Sequence, residues 1–305
     1  MAPLEKISKG FELALKIPNF AAQKFLIMRL IADSGSTKVD WRAIHSDGSV
    51  QKITTAGINP FFQTEEQIVY ELQQHLLPDI SASVNEIHFY GAGVSSPDQV
   101  KILQDCFRKV FPKARTNAYT DLLAAARALC GNKPGIAGIL GTGANSCFYD
   151  GAQIVDNVPA CGFILGDEGS GAVLGKKFVA DYLKRQLPAD LNTIFSQKYN
   201  LTYGGVVERV YKQPFPNRYL ATFSVFLNEN RNHPYVDKLL RTSFEEYFVR
   251  NIMQYDYKKH KVNLVGSVAY HYRDILEDVA RKLGIKIGHV LKSPIDGLAE
   301  YHKSI

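Results

Sequence analysis

One short pattern occurs twice in the chain, and this repetition limits the folds that the chain can adopt. In each copy an apolar run enters a tight turn of small residues and leaves as an alternating segment. The first copy is the segment 31–38 (IADSGSTK), and the second is the segment 139–146 (ILGTGANS). Asp33 and Gly141 take equivalent positions in the two copies. We therefore predict two related α/β lobes with mixed sheets, each of which presents a turn to a shared cleft.

The composition is that of a globular protein that can bury two cores. The chain has 305 residues, of which 46% are hydrophobic, and this suits two domains of ordinary size. The net charge is +6, and because lysine and arginine are scattered, a solvated surface explains it better than a nucleic-acid partner. No run of about twenty apolar residues occurs, so we predict no membrane-spanning helix.

The four cysteines predict no disulfide framework and no metal cluster. No pair of them has CxxC spacing, and no histidine cluster accompanies them. In a chain of this size we expect free thiols in a reducing cytoplasm. The cysteines are Cys106, Cys130, Cys147 and Cys161.

The lobe boundaries follow from the position of the second copy. Gly131 and Pro134 interrupt the chain just before it, and we place a boundary there. We assign residues 28–133 together with 294–305 to an N-terminal lobe, and residues 134–293 to a C-terminal lobe.

The segment 1–27 precedes the first predicted strand. Polar residues interrupt its apolar positions, so it lacks the apolar core of a signal peptide. Met28 stands directly before that strand, and we expect the true start at Met28, with the segment 1–27 as an upstream extension. A short helix that packs on the first lobe is the alternative.

The small residues of both turns suit phosphate binding, which indicates a nucleotide between the lobes. Glycines let backbone N–H groups approach an anion closely, and hydroxyl groups add donors. The chain has no Walker motif, since the segment 171–177 (GAVLGKK) lacks both the spacing and the final hydroxyl. A plain hairpin explains either turn alone, but two matched turns favour phosphate. The residues concerned are Gly35, Ser36, Thr37, Gly141, Thr142 and Gly143.

Two aspartates stand where predicted strands end. Asp33 could hold Mg²⁺ beside a triphosphate, or it could cap its own turn. Asp121 follows Thr120 at a strand-to-helix junction, where taken alone it is best explained as a helix cap. In a cleft, Asp121 could instead accept a proton from an attacking hydroxyl.

The string 166–171 (GDEGSG) is the most specific local motif. Two adjacent acids flanked by glycines are poor core material, and carboxylates bind sugar hydroxyls well. A solvated loop is the alternative. The apolar segments 163–165 and 172–174 on either side argue against full exposure.

Together these motifs resemble the N-acetylglucosamine kinase family (BadF/BadG-type ATPases) of the actin, hexokinase and Hsp70-like superfamily. The resemblance extends from Met28 to the C-terminus. The motifs that carry it are 33–37 (DSGST), Thr120-Asp121, 141–145 (GTGAN), 166–171 (GDEGSG) and, more weakly, an adenosine loop at 265–268 (VGSV).

The resemblance implies two ribonuclease H-like lobes with ATP and a sugar in the cleft between them. It implies a Mg²⁺-dependent amino-sugar kinase, with the 6-hydroxyl of N-acetylglucosamine as the preferred acceptor. Asp121 would be the general base and Asp33 would organise the metal. The implied ATP contacts are Gly35, Ser36, Thr37, Lys38, Gly141, Thr142 and Gly143 at the phosphates and Gly266 and Ser267 at the adenosine. The implied sugar contacts are Asn59, Asn145, Gly162 and Asp167.

The same resemblance leaves alternatives open. A cytoplasmic homodimer is expected of the family, and N-acetylmuramic acid, glucosamine or N-acetylmannosamine could replace N-acetylglucosamine. A related function is that of an ATPase that activates a redox partner through an iron–sulfur cluster shared between subunits. A catalytically silent sugar sensor is a third possible function. The segment Ala160-Cys161-Gly162 also differs from the Gly-Trp-Gly that the family often has before GDEGSG.

Overall fold

Strands and helices alternate along the chain in two successive sets. The computed structural model describes residues 27–35, 38–80 and 83–304, and the segment 1–26 lies outside it. The strands are β1 (Ile27–Ser34), β2 (Lys38–His45), β3 (Val50–Ala56), β4 (Ser83–Gly91), β5 (Arg115–Thr120), β6 (Gly135–Leu140), β7 (Ala144–Tyr149), β8 (Ile154–Asp156), β9 (Val262–Val265) and β10 (Ile287–Leu291).

The helices fill the intervals between these strands. They are α1 (Glu65–Glu71), α2 (Pro97–Val110), α3 (Asp121–Cys130), α4 (Gly162–Leu165), α5 (Gly171–Leu183), α6 (Ala189–Tyr199), α7 (Tyr203–Tyr211), α8 (Pro216–Ala221), α9 (Ser224–Glu229), α10 (Pro234–Arg250), α11 (Ser267–His271), α12 (Arg273–Lys282) and α13 (Ile295–Lys303). None of the described helices combines the length and the apolar character that crossing a membrane requires.

The strands form two five-stranded sheets with the same connections. The strand order is β3-β2-β1-β4-β5 in the first sheet and β8-β7-β6-β9-β10 in the second. In each sheet the first three strands are antiparallel, and the fourth and fifth run parallel to the first. The sequence repeat thus corresponds to a repeat of topology, and the predicted fold of two α/β lobes is confirmed.

Each repeat also contains the same type of hairpin, made by an Asp-Gly pair. Gly48 and Gly151 both adopt positive φ angles, of 85° and 105°, which glycine tolerates without strain. The preceding aspartates accept backbone hydrogen bonds: Asp47 Oδ1 from the Ser49 amide at 2.8 Å, and Asp150 Oδ1 from the Gln153 amide at 2.8 Å. This turn chemistry sets the register of the antiparallel strands on both sides.

Two helices lie between the sheets. The α3 helix packs Leu122 and Ala126 into a core shared with β6 and β7 of the second sheet. The α13 helix packs Leu298 into a core shared with the first sheet. Because α3 follows the first sheet in sequence yet packs on the second, the exact lobe boundaries at 133 and 294 stay a prediction.

The α3 and α13 helices also approach each other closely. A Cβ atom on Gly297 would lie 2.7 Å from the Ala128 carbonyl oxygen, so this contact requires glycine.

Two turns of other helical types follow α1. The backbone continues as a π-helical turn (Leu72–Leu76) and a 3₁₀ turn (Leu77–Asp79) that contains Pro78. Gly171 and Gly175 lie inside α5, where a Cβ on Gly175 would collide with the Leu220 backbone of α8. These glycines permit close helix packing.

Candidate active site

The first turn joins β1 to β2. The Gly35 amide donates to the Lys38 carbonyl at 3.0 Å and closes the turn, and Lys38 Nζ lies 2.7 Å from Asp40 Oδ2. Ser36 and Thr37 lie outside the described residues, so their predicted phosphate contacts stay predictions.

Asp33 lies at the end of β1 and faces other carboxylates. Its pKa is raised to about 7, first by burial and then by the nearby charges of Asp121 and Asp40. The hydroxyl of Ser293, which lies just before α13, donates to Asp33 Oδ2 at 3.5 Å. Sequence reasoning missed Ser293 because a residue at the far end of the chain carries no local signal of this contact.

Asp121 is the first residue of α3, but it is not the helix cap. The cap is Thr120, whose Oγ1 accepts from the Leu123 amide at 3.1 Å. The interpretation of Asp121 as the cap is therefore wrong, and its carboxylate is available for another role. Burial raises the pKa of Asp121, which makes its carboxylate a stronger base than an exposed one.

The second turn is held by a helix. The Gly141 amide donates to the Gly143 carbonyl at 2.9 Å within the turn. The first amides of α5, at Gly171 and Ala172, donate to the carbonyls of Gly141 and Thr142 at 2.8 and 3.0 Å. Because these donors lie in the GDEGSG string and directly after it, that motif fixes the turn as well as supplying acids.

Asp167 lies against the second turn. Its Oδ1 accepts from the Ala144 amide at 3.0 Å, and a Cβ on Gly143 would lie 3.1 Å from its Oδ2. Its φ of 53° is unusual for a residue with a side chain. Burial, followed by the charge of Glu168, raises the pKa of Asp167.

The neighbouring acid has a different environment. Glu168 is buried and forms an ion pair with Arg250 Nε at 3.1 Å. It also accepts from Asn251 Nδ2 at 3.1 Å. The two adjacent acids thus have different partners. Glu168 bonds to the last residue of α10 and to the residue after it, whereas Asp167 lies against the second turn.

The other predicted sugar contacts of the C-terminal lobe lie beside Asp167. Asn145 follows Ala144 on β7, and its Oδ1 accepts from the Ser146 amide at 2.9 Å. Gly162 opens α4 with a φ of 67°, and the segment before it is held by the Asp167 amide, which donates to the Ala160 carbonyl at 3.0 Å.

Asn59, the predicted sugar contact of the N-terminal lobe, lies on the loop that follows β3. Ser34, next to Asp33, donates to the Ile58 carbonyl at 2.7 Å and so ties this loop to the end of β1. Asn59 Oδ1 accepts from the Phe61 amide at 2.9 Å, so it shapes its own turn. Sequence reasoning did not foresee the role of Ser34, whose hydroxyl is buried.

A cleft with a volume of about 870 Å³ lies between the two turns. It brings together residues from three separate segments that the sequence assigned to ATP or to its metal ion. Gly266 permits the backbone to pass close to the end of β6, because its φ is 124° and a Cβ there would collide with the Leu140 carbonyl. The lining residues that the sequence singled out are Asp33, Gly35, Lys38, Thr142, Gly266 and Ser267.

The side chains around Asp33 fit a magnesium ion. Within the described part of the chain no group of three or more His, Cys, Asp or Glu side chains is arranged to hold a metal. Mg²⁺ needs only one or two carboxylates, because substrate phosphates and waters complete its coordination. Burial and the charges of Asp121 and Asp40 disfavour a charge on Asp33, and a bound cation would relieve this.

Solved structures share this architecture. A candidate N-acetylglucosamine kinase from Porphyromonas gingivalis is 45% identical to this chain with a TM-score of 0.86, and the match covers 91% of this chain and 99% of that one. A candidate N-acetylglucosamine kinase from Chromobacterium violaceum is 18% identical with a TM-score of 0.68, covering 90% and 98%. A candidate N-acetylmannosamine kinase from Listeria monocytogenes is 10% identical with a TM-score of 0.52, covering 91% and 99%.

These matches carry different weight. The two more distant structures show the fold alone. No family model and no curated protein matches the chain. The Porphyromonas gingivalis protein is similar over nearly the whole of both chains, and at 45% identity the two are members of one family. This chain therefore belongs to the N-acetylglucosamine kinase family.

Proposed function

We propose that the protein is an ATP-dependent amino-sugar kinase that phosphorylates N-acetylglucosamine at the 6-hydroxyl. The observation that carries the proposal is the pair Asp33 and Asp121. Asp121 begins a helix between the two lobes, and because Thr120 caps that helix, the Asp121 carboxylate does not serve as the cap. Asp121 also lies near enough to Asp33 to raise the pKa of Asp33. Two carboxylates beside a cleft with two glycine-rich turns suit metal-assisted phosphoryl transfer to a hydroxyl.

In this proposal the sugar is held from both lobes. From the C-terminal lobe, Asp167 accepts hydrogen bonds from sugar hydroxyls and Asn145 bonds to them through its side-chain amide. Asn59 does so through its own amide from the N-terminal lobe. The backbone at Gly162 completes this side of the site. Closure of the lobes around the sugar excludes water, which would otherwise compete as the phosphoryl acceptor.

Asp121 then accepts the proton of the attacking hydroxyl as the oxygen bonds to the γ-phosphorus and the bond to ADP breaks. The Gly143 amide and the Thr142 hydroxyl stabilise the phosphoryl oxygens during transfer. Gly35 and Gly141, whose amides bond within their own turns, let the phosphates approach the backbone closely. Mg²⁺, held through Asp33, would neutralise the charge on the phosphates. Gly266 and Ser267 would contact the adenosine.

The test is a screen of ADP release across amino sugars, with ATP and Mg²⁺ present. We expect turnover with N-acetylglucosamine, and we expect Asp121→Asn to lower kcat by about 10²–10⁴-fold while ATP still binds. Asp98→Asn is the matched control, because Asp98 is also an acid in the first turn of a capped helix but is exposed. An undiminished kcat in Asp121→Asn would show that Asp121 is not the general base.

The screen also separates the other candidates. Preferred turnover of N-acetylmuramic acid, glucosamine or N-acetylmannosamine would change the substrate, and sugar binding without turnover would indicate a sensor. No observation favours the redox activator: Cys106 and Cys147 are buried, Cys130 is half-buried and Cys161 is exposed, each on a different segment. A cytoplasmic location and a homodimer stay predictions.

A further inference from the structure

A half-buried arginine, Arg127, lies on the helix that begins with Asp121. Arg127 Nη1 donates to the Tyr90 hydroxyl at 2.7 Å. Its guanidinium carbon lies 4.6 Å from the ring centroid of Tyr119, 5.2 Å from that of Tyr301 and 5.8 Å from that of Tyr90. These three rings, here called the tyrosine cage, stabilise a cation through their faces.

The cage takes the place of a carboxylate partner. Within residues 27–35, 38–80 and 83–304, no acid forms an ion pair with Arg127. The side chain is half-buried, and its Nε is buried without a hydrogen-bond partner. A charged group with a buried donor that lacks a partner stabilises a fold poorly, so stability alone does not account for this side chain.

The cage stands in the same row of the first sheet as Asp33. In the strand register Asp33 pairs with Tyr90, and Tyr90 pairs with Tyr119. Residues in one row project from the same face of a sheet. Tyr119 is also only two residues before Asp121. The guanidinium therefore links the middle of α3 to the row that ends in Asp33.

The same cage reaches the rest of the lobe junction. Tyr301 belongs to α13, and its neighbour His302 bonds to the Tyr90 hydroxyl through Nε2 at 2.8 Å. Burial and then the nearby Tyr301 raise the pKa of Tyr149 of β7, in the second sheet, and the charge of Arg127 opposes this rise. One side chain thus contacts or borders both sheets and both of the helices between them.

We propose that Arg127 is a positioning residue that holds α3, and with it Asp121, at a fixed place relative to Asp33. This inference rests on the proposed function, because it assigns Arg127 to the alignment of the two carboxylates that act there. A small displacement of a catalytic group lowers the rate of the chemical step strongly and affects binding of the substrates much less.

The experiment replaces Arg127 by methionine, which fills a similar volume without charge. We expect Arg127→Met to lower kcat for the amino sugar about 10–100-fold, with KM values changed less than about threefold. We expect its Tm to be unchanged or raised, since an apolar side chain of similar size often stabilises a site that held a buried charge. Arg127→Lys should not restore kcat, because an ammonium group lacks the planar shape that stacks in the cage.

Arg108→Met is the matched control, since Arg108 is exposed and pairs with Asp105 on its own helix at 2.8 Å. Parallel loss of Tm, kcat and both substrate affinities in Arg127→Met would show a structural role and overturn the inference. Unchanged kcat would overturn it as well.

A second measurement does not depend on which reaction the enzyme performs. Hydrogen exchange of the amides in 119–126 should become faster in Arg127→Met than in the wild type, with and without ATP, while exchange of α2 stays the same. Unchanged exchange in 119–126 contradicts the positioning role. If the wild type turns over no sugar but exchange does become faster, the proposed function fails and the positioning role stands.

Discussion

The two turns occupy the same place in the two sheets, yet they are held in different ways. In the first, the Gly35 amide donates to the Lys38 carbonyl, and the turn follows Asp33, a carboxylate with a strongly raised pKa. The second has Gly141 in place of the acid and is fastened by the start of α5. The repeat thus separates two tasks: the first turn carries charge, and the second provides a rigid backbone.

The largest expected effect comes from removing the charge of the first turn. Asp33→Asn makes this turn resemble the second, and we expect kcat to fall by about 10²–10³-fold because metal-assisted stabilisation of the phosphates is lost. The Tm should not fall, because the substitution removes a carboxylate that burial and its neighbours disfavour. Steady-state kinetics over a Mg²⁺ titration and thermal unfolding measure both effects.

Asp156→Asn serves as the control, since Asp156 is an exposed acid on an edge strand of the second sheet. If Asp33→Asn retained wild-type turnover at all Mg²⁺ concentrations, the two turns would not differ in the way described.

A smaller effect should follow when the same substitution is made in both turns. A Cβ on Gly143 would lie 3.1 Å from Asp167 Oδ2, whereas among the described residues a Cβ on Gly35 would meet only the Lys38 carbonyl, at 3.6 Å. We expect Gly143→Ala to displace Asp167 and to raise KM for the sugar about tenfold, the equivalent of one hydrogen bond. Gly35→Ala should leave that KM nearly unchanged. Equal KM values for the two variants would contradict the placement of Asp167 at the sugar.

The smallest effect concerns the response of stability to pH. The two histidines that are buried among the described residues, His88 and His302, both lie against the first sheet. Burial, and then the charges of His88, Arg127 and Arg29, lower the pKa of His302 to about 3. Tyr90 faces the same ring and bonds to it.

The sign of this response follows from where the proton binds. Between the folded pKa of about 3 and the ordinary histidine pKa of 6.5, only the unfolded chain binds a proton at His302. The contribution of His302 is therefore complete above pH 6.5 and is lost as the pH falls towards 3, by at most about 1.4 kcal/mol per pH unit. His302→Gln should give a shallower decline of Tm below pH 6.5 than the wild type; an identical decline would show that His302 is not responsible.

Much of the fold was predictable because its signals are local. The two turns, the Asp-Gly hairpins and the alternation of strands and helices follow from residues that are close in sequence, and each repeat gives the same pattern.

The candidate site was predictable only as a set of separate motifs. The cleft lining includes six of the predicted ATP contacts or metal residues, and Asp167 and Asn145 lie beside the second turn. The sequence did not predict that neighbouring residues of one motif have different roles. Thr120 rather than Asp121 caps α3, and Glu168 pairs with Arg250 while Asp167 does not.

By itself, the sequence determined which residue types end the central strands, and so it determined that one turn has an acid and the other a glycine. Only the tertiary structure decided what these residues do. The pKa of Asp33 depends on Asp121, Asp40 and Ser293, which come from three other segments. The environment of Arg127 depends on rings from β4, β5 and α13. Charge and burial act through space, and the distances that govern them exist only once the chain has folded.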